Sequence, residues 1–481
     1  MKTKILLSVI MSAVLLLVAT ERSPAANLSR QVARFQSQLA ASGYAWQSGS
    51  TGILDGNLRY CQGSIFSGMW ANPQSPYIVP QLPEVPGQAP GIASPLTWRL
   101  RQDEAIVVIG VTPPPVAYFG FQLWMMKGSL ADGPVLMVSV VDPINNKTMR
   151  TTGPTTYDEP FALVITGNQR TLAEVNMMLA ASGLGGATNN VPIPSALFRL
   201  GLDQDSNEFL LPVRTAVPQP GFEEALDEYR AGHSLKVFRV RPKSSSADET
   251  KPVYPLDPLP VPRLRISGTG NTELNLNPTL QLLRQRIIDS YPGYEAHDMP
   301  LERAYEEPYP GLQLNLVTDP PIQGTAGYTS DANYLISPNF GLPDGSFLMA
   351  YGANHVVTGK ASYTSASLYA DEHATVHMAS KEHTELWGSA RDFIADQPNA
   401  DEFYAWAFSR AGDSGPAGPH VTTLDPTGTP TDYCSSKYGT NMKVDMSTIS
   451  VVTRIYMEPA TKTRPALSEL LLDRLLLFTP K

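Results

Sequence analysis

One pattern, met twice along the chain, constrains this sequence more than any motif does. "DEAIVVIGVTPPPVAYFGFQLWMM" (103–126) and "DGSFLMAYGANHVVTGKASYTSASLYA" (344–370) each run an apolar strand into a glycine, then a turn, then Tyr-x4-Leu-aromatic. The aligned residues are Tyr118, Leu123 and Trp124 against Tyr363, Leu368 and Tyr369, and the second turn is three residues longer. The match continues from "DEPFALVITG" (158–167) to "DEFYAWAFSR" (401–410), and from "LLPVRTAVPQPGFEEALDEY" (210–229) to "ISVVTRIYMEPATKTRPALSEL" (449–470). Spacing agrees as well. Phe161 follows Gly110 by 51 residues and Phe403 follows Gly352 by 51, while Arg214 precedes Phe238 by 24 and Arg454 precedes Phe478 by 24. Ordered segments at conserved spacing point to internal duplication.

Each copy reads as short apolar or alternating strands bounded by Gly, Pro, Asn and Asp, with few helices. "FALVITGNQRTLAEVNMMLAASG" is a strand followed by a helix, with Leu172, Val175, Met178 and Leu179 at helical spacing and Gly183 as C-terminal stop. Amphipathic helices over 27–43 and 277–291 lead the two copies, the second with Asn277 as N-cap and Pro278 at its first position. The expected fold is α+β: two related domains, each a mainly antiparallel sheet with helices on one face. The expected boundaries are a signal peptide (1–25), a first repeat (26–242), a Pro/Ser-rich linker (243–270) and a second repeat (271–481).

The signal-peptide reading rests on Lys2 and Lys4, an apolar run from Ile5 to Ala19, and small residues at Ala25 and Ala26. It implies a secreted or periplasmic protein without stable membrane insertion after cleavage. In an oxidising compartment Cys61 and Cys434 form one bridge. The formal charge is −9, and the first 25 residues carry a net +2, leaving −11. Such a balance argues against nucleic acid as a partner. A small-molecule or polymer-derived substrate is expected instead.

Five of the seven histidines (His355, His373, His377, His383, His420) lie between residues 355 and 420, all in the second copy. Where the first copy has "GVTPPPVAY", the second has "GANHVVTGKASY". His355, Lys360 and Tyr363 are therefore the candidate catalytic groups for acid–base chemistry, with Asn354 and Thr358 as substrate-binding donors. Strand alternation puts Arg454, Tyr456 and Glu458 on one face, a second substrate-binding row suited to a carboxylate or carbonyl. The turn is not a phosphate loop, because its glycines are wrongly spaced and Ala361 replaces the magnesium-binding Ser or Thr. No Gly-x-Gly-x-x-Gly supports a dinucleotide either, and no cofactor is expected. His373 and His377 could share a metal ion on a helix, but the repeat register makes them a strand, about 13 Å apart.

"AGDSGPAGPH" (411–420) is similar to the nucleophile loop of chymotrypsin-like proteases. It lacks the second glycine, and no histidine sits in a matching strand end. Ser414 is read as part of a Gly/Pro loop. The functional expectation is an exported, cofactor-independent enzyme of hydrolytic or acid–base type, with a non-catalytic ligand-binding or surface protein as the alternative. Pockets favour domain boundaries, so the site is expected where the second copy's polar loops face the first.

Overall fold

A computed structural model describes residues 24–64, 72, 74–127, 136–232, 234–243, 250–303, 329–343, 345–370, 376–410, 416–424, 433–442, 444 and 448–481. Residues 1–23 of the expected signal peptide, His373 and Ser414 lie outside them. Among the described residues no helix is long and apolar enough to cross a membrane.

The protein is α+β and mostly sheet. In the N-terminal half, an outer sheet has the order Tyr44–Ser48, Leu235–Pro242, Ala105–Val111, Pro160–Thr166, Thr188–Pro192. All of its pairs are antiparallel except the last, which is parallel. Both faces of its central strands are buried, which explains their unbroken apolar runs. One face packs on the helices Pro24–Ala41 and Gln169–Ala181 through Phe35, Leu39, Val175 and Leu179. The other packs on an inner sheet through Ile106, Val108, Phe119, Phe121 and Val213. That inner sheet runs Ser50–Leu54, Tyr77–Gln81, Val213–Pro218, Val116–Phe121, Ile144–Asn145, and a three-stranded extension (Glu208–Leu210, Trp124–Lys127, Leu136–Ser139) prolongs two of its strands.

The C-terminal half has the same kinds of layer. Its outer sheet is ordered Tyr294–Met299, Arg474–Pro480, Phe347–Ala353, Phe403–Arg410, Val421–Leu424, again antiparallel up to a parallel last pair. Its inner sheet runs Glu302–Arg303, Ala332–Ile336, Thr448–Tyr456, Tyr363–Ala370, Val376–Glu382. The helix Asn277–Ser290 covers the outer sheet with Leu280, Leu283 and Ile287. The two inner sheets face each other through Tyr118, Ala216, Ala332, Tyr363 and Tyr456. The layers therefore run helix, sheet, sheet, then sheet, sheet, helix.

Local chemistry fixes the element ends. Asn168 accepts from the Thr171 amide as N-cap of Gln169–Ala181, and Gly183 follows that helix with φ of 88°, a backbone state that favours glycine. Asn277, expected as a cap, is instead the first helical residue; Leu276 precedes it without a side-chain bond, and Pro278 supplies the preset φ. Residues 243 and 250–270, the described part of the stretch expected as a linker, form no helix or strand and are pinned to the folded layers. The amides of Val253 and Tyr254 donate to Asp103, Arg265 N donates to Asp142, and the amides of Thr269 and Gly270 donate to Glu469. Such bonds give a proline-rich strap defined places to lie. Cys61 and Cys434 form the disulfide, tying the short helix Gly56–Cys61 of one half to Tyr433–Tyr438 of the other.

Candidate acid–base cluster and cleft

The turn after Phe347–Ala353 is polar in sequence, and a solvated hairpin is what such a sequence usually makes. Here it is buried. His355 is fully inaccessible, and Asn354 and Lys360 are nearly so. Asn354 holds the turn's shape: its Oδ1 accepts from the amide of Val356 at 3.3 Å and its Nδ2 donates to the His383 carbonyl at 3.1 Å. His355 Nδ1 lies 2.9 Å from both carboxylate oxygens of Glu273. Thr358 donates to the same carboxylate, which also accepts from the Leu471 amide at 2.9 Å. On its far side, His355 Nε2 has no hydrogen-bond partner and stands 3.7 Å from Asp473 Oδ1. Tyr404 donates to that same oxygen at 2.9 Å.

The electrostatics reflect this order. Burial alone would lower the pKa of the His355 imidazole, but Glu273 and then Asp473 more than reverse it, and it stands above the usual range. Burial would raise Glu273, yet the imidazole, the Thr358 hydroxyl and the Leu471 amide hold it below the usual range. Asp473 goes the other way. Its burial dominates the opposing pull of His355, and its carboxyl is raised. A low carboxylate, a high imidazole and a high carboxylic acid stand in a row.

Asp473 lines a cleft of about 910 Å³ bounded by Leu470–Leu475, the helix Asn277–Ser290 and the strand Tyr294–Met299. This differs from the expected location between the halves. A polar cavity does lie there, beside the disulfide, with Asp55, Asn72, His377, Lys437 and Tyr438 in its wall, but it measures only about 210 Å³.

The other expected residues separate into two further groups. Lys360 Nζ reaches Glu458 Oε1 at 2.7 Å and Glu469 Oε2 at 2.6 Å. Burial works against its charge, but the two carboxylates outweigh this and raise its pKa, and the pairing helps bring Glu469 down to about 2. Glu458 does not continue the Arg454–Tyr456 row. The strand ends at Tyr456, and Met457, with φ of 45°, redirects the chain toward Lys360. Arg454 and Tyr456 do share a face, but it is buried against the other half rather than solvated. Arg454 donates to Ser367 Oγ at 3.0 Å and to Tyr369 Oη at 2.7 Å. Tyr363 accepts from Asn72 Nδ2 at 2.8 Å, across the boundary between halves. His377 lies on a strand, as the repeat register required, and bonds to Ser380 Oγ at 3.0 Å. Burial and the nearby Arg454 lower its pKa to about 3. Among the described residues no group of three or more His, Cys, Asp or Glu is arranged to hold a metal ion.

Sequence reasoning missed Glu273, Asp473 and Asp331. A signal existed for Asp473: "LLLDRLLLF" (470–478) places Asp473 and Arg474 inside an otherwise apolar run. Asp331 accepts from Arg214 at 2.8 Å and from Tyr118 at 2.8 Å, all fully buried between the inner sheets.

No protein-family model matches the chain, and no curated protein does. Among solved structures, the VPA0106 protein from Vibrio parahaemolyticus aligns over 88% of this chain and 96% of its own at 11% identity and a TM-score of 0.35. The partial N-terminal region of the Enterococcal surface protein aligns over 89% and 84% at 10% identity and a TM-score of 0.15. Scores this low do not establish a shared fold, and only the chain's own residues bear on its function.

Proposed function

We propose that the chain is an exported enzyme of hydrolytic or acid–base type, made of two halves that descend from one duplicated α+β unit, and that Asp473 is its catalytic acid. Export rests on the first 25 residues and accords with the disulfide. Duplication is supported by register. In one inner sheet Tyr118 pairs with Ala216 and Gly120 with Arg214, and in its three-stranded extension Trp124 pairs with Leu210; in the other inner sheet Tyr363 pairs with Tyr456, Ser365 with Arg454 and Tyr369 with Ser450. The aligned tyrosines and arginines thus hold the same ladder positions. Val217 and Met457, each three residues beyond its arginine, share a positive φ that non-glycine residues seldom adopt. The outer sheets adjust one correspondence: Gly110 pairs with Phe161 but Gly352 with Tyr404, making Tyr404 rather than Phe403 the counterpart of Phe161.

The observation that carries the catalytic reading is the unbonded Nε2 of His355, aimed at a carboxyl on the cleft wall. In hydrolysis, Asp473 gives its proton to the leaving oxygen while water adds to the other side of the bond, and the water's proton restores the carboxyl. His355 and Glu273 are positioning residues: the imidazole sits between two carboxyls and tunes the one that meets substrate. Lys360 and Arg454 have no direct role, because their bonds are made inside the protein.

The test is a screen of the mature chain on chromogenic esters, amides and glycosides. Asp473→Asn should lower kcat by about 100-fold or more with the near-UV spectrum intact, and His355→Gln should shift the acidic limb of the pH profile. An Asp473→Asn variant of undiminished rate would end the assignment. A second reading, ligand binding without chemistry, is favoured by the paired state of Lys360; it predicts saturable binding with no turnover across the screen.

A further inference from the structure

The walls of the cleft over Asp473 have a consistent chemistry. Leu274, Met299, Leu301, Leu470, Leu472 and Leu475 supply an aliphatic lining, with no aromatic ring among the described residues that line it. Nucleobases call for aromatic faces on which to stack, whereas flexible hydrocarbon needs only apolar area. Two arginines reach the same space. Arg284 is occupied, making a two-pronged bond to Asp298 at 3.1 and 2.5 Å. Arg474 is half-buried beside Asp473, and its charge is felt by the Tyr351 hydroxyl. The space, about 910 Å³, is of the size that encloses a small organic ligand.

We infer that the cleft takes an aliphatic chain carrying a carboxylate, the chain lying along the leucines and the carboxylate meeting the Arg474 guanidinium next to Asp473. This rests on and deepens the catalytic reading by giving its product a class: the aliphatic carboxylate that water and Asp473 release when the bond between an acyl carbon and its ester oxygen is broken. Charge complementarity fixes the direction. A cationic amphiphile would bring its head against Arg474 and be repelled, while an anionic one gains a charge-assisted bond at the inner end. Leu274 is 52% exposed at the rim and stays available to the distal part of the chain. Glu273, the residue before it, is already engaged by His355, so the acid–base row and the apolar wall are built from one stretch of chain.

Calorimetric titration of the full mature chain with hexanoate, octanoate and decanoate, and with decyltrimethylammonium as control, tests this. Affinity should rise about three- to fourfold per added CH2 among the carboxylates, and the ammonium should bind at least tenfold more weakly than decanoate. Arg474→Gln should weaken decanoate about tenfold, and Arg474→Lys should restore part of it. Leu274→Asp, at an exposed position that folding tolerates, should weaken decanoate without changing the thermal midpoint. Asp473→Asn should bind decanoate as well as wild type or better, since a carboxyl is lost beside the ligand's own. Turnover by the wild-type chain separates the two ideas: decanoate bound by wild type with no hydrolysis of any acyl ester leaves the ligand class standing and ends the catalytic role. No dependence on chain length, equal binding of the ammonium, or an Arg474→Gln variant indistinguishable from wild type overturns the inference.

Discussion

Arg214 and Arg454 hold the same ladder position in the two inner sheets, and both side chains are buried between the halves. Their surroundings differ. Arg214 lies against Asp331, a residue of the other half, and its plane also stands about 5 Å from the rings of Tyr118 and Tyr456. Arg454 bonds to hydroxyls of its own sheet, Ser367 and Tyr369. Arg214 is thus ion-paired across the boundary, whereas the hydroxyls to which Arg454 donates belong to its own sheet. A buried ion pair costs desolvation on both sides, so its net worth is modest, but removing one member strands the other. Arg214→Met should cost about 3–5 kcal/mol in urea unfolding, because Asp331 is left charged in an apolar layer. Arg454→Met should cost less, about 1–3 kcal/mol. The double variant Arg214→Met/Asp331→Leu should recover most of the loss. Equal costs for the two single variants would erase the distinction.

The disulfide crosses the same boundary from another side. It joins positions 373 residues apart, and the short helices it links pack through Asn57, whose amide donates to the Tyr433 hydroxyl at 2.9 Å. Cys61→Ala/Cys434→Ala should lower stability by about 2–4 kcal/mol, chiefly by freeing the unfolded chain. The comparison sharpens if the cysteine pair is removed in the Arg214→Met background. Losses greater than additive would mean that both devices hold one interface; strict additivity would mean that they act independently.

The turns "VTPPPVA" and "ANHVVTGKAS" also differ between the halves, and the second carries a pH-dependent charge set. His355 has a raised pKa, so its contribution is complete below its ordinary value of 6.5 and is lost as pH rises through the folded value. Glu273 has a lowered pKa, so its contribution is present above 4.5 and is lost as pH falls through the folded value. Asp473 is raised and opposes Glu273 on the acid side. The His355–Glu273 pair should therefore stabilise most between about pH 4.5 and 6.5, by about 1–3 kcal/mol. His355→Gln should remove the decline on the alkaline side. A variant whose stability falls with pH as wild type does would show that the imidazole is not the titrating group.

Much of the fold is legible in the sequence because its signals are local. The Gly183 stop, the helical spacing of Val175, Met178 and Leu179, and the apolar run of residues 161–165 each depend on a few neighbouring residues. The row Arg454–Tyr456 is legible as a shared face. What covers that face is not, since Asn72 and Tyr118 come from the other half of the chain. The row reads as a substrate-binding face because single-strand periodicity cannot distinguish a ligand from a second polar sheet. The acid–base cluster is half legible: His355 stands out by type, while Glu273 and Asp473 arrive from 82 and 118 positions away and carry no spacing signal.

Val217 and Met457 give the smallest and most discriminating comparison. Both have positive φ, which costs a residue with a Cβ about 1–2 kcal/mol, and a β-branched residue fits it worst. Their burial differs: Val217 is half-exposed, whereas Met457 is fully buried against the opposing sheet. Glycine relieves the strain at either position, but at 457 it also removes a packed side chain worth about 2 kcal/mol or more. Val217→Gly should therefore be neutral or stabilising by up to about 1 kcal/mol, and Met457→Gly should be clearly destabilising. Thermal unfolding of the two variants reads the difference directly. If Val217→Gly destabilises as much as Met457→Gly, the positive φ at 217 is not strained, and the two positions are alike in energy as well as in conformation.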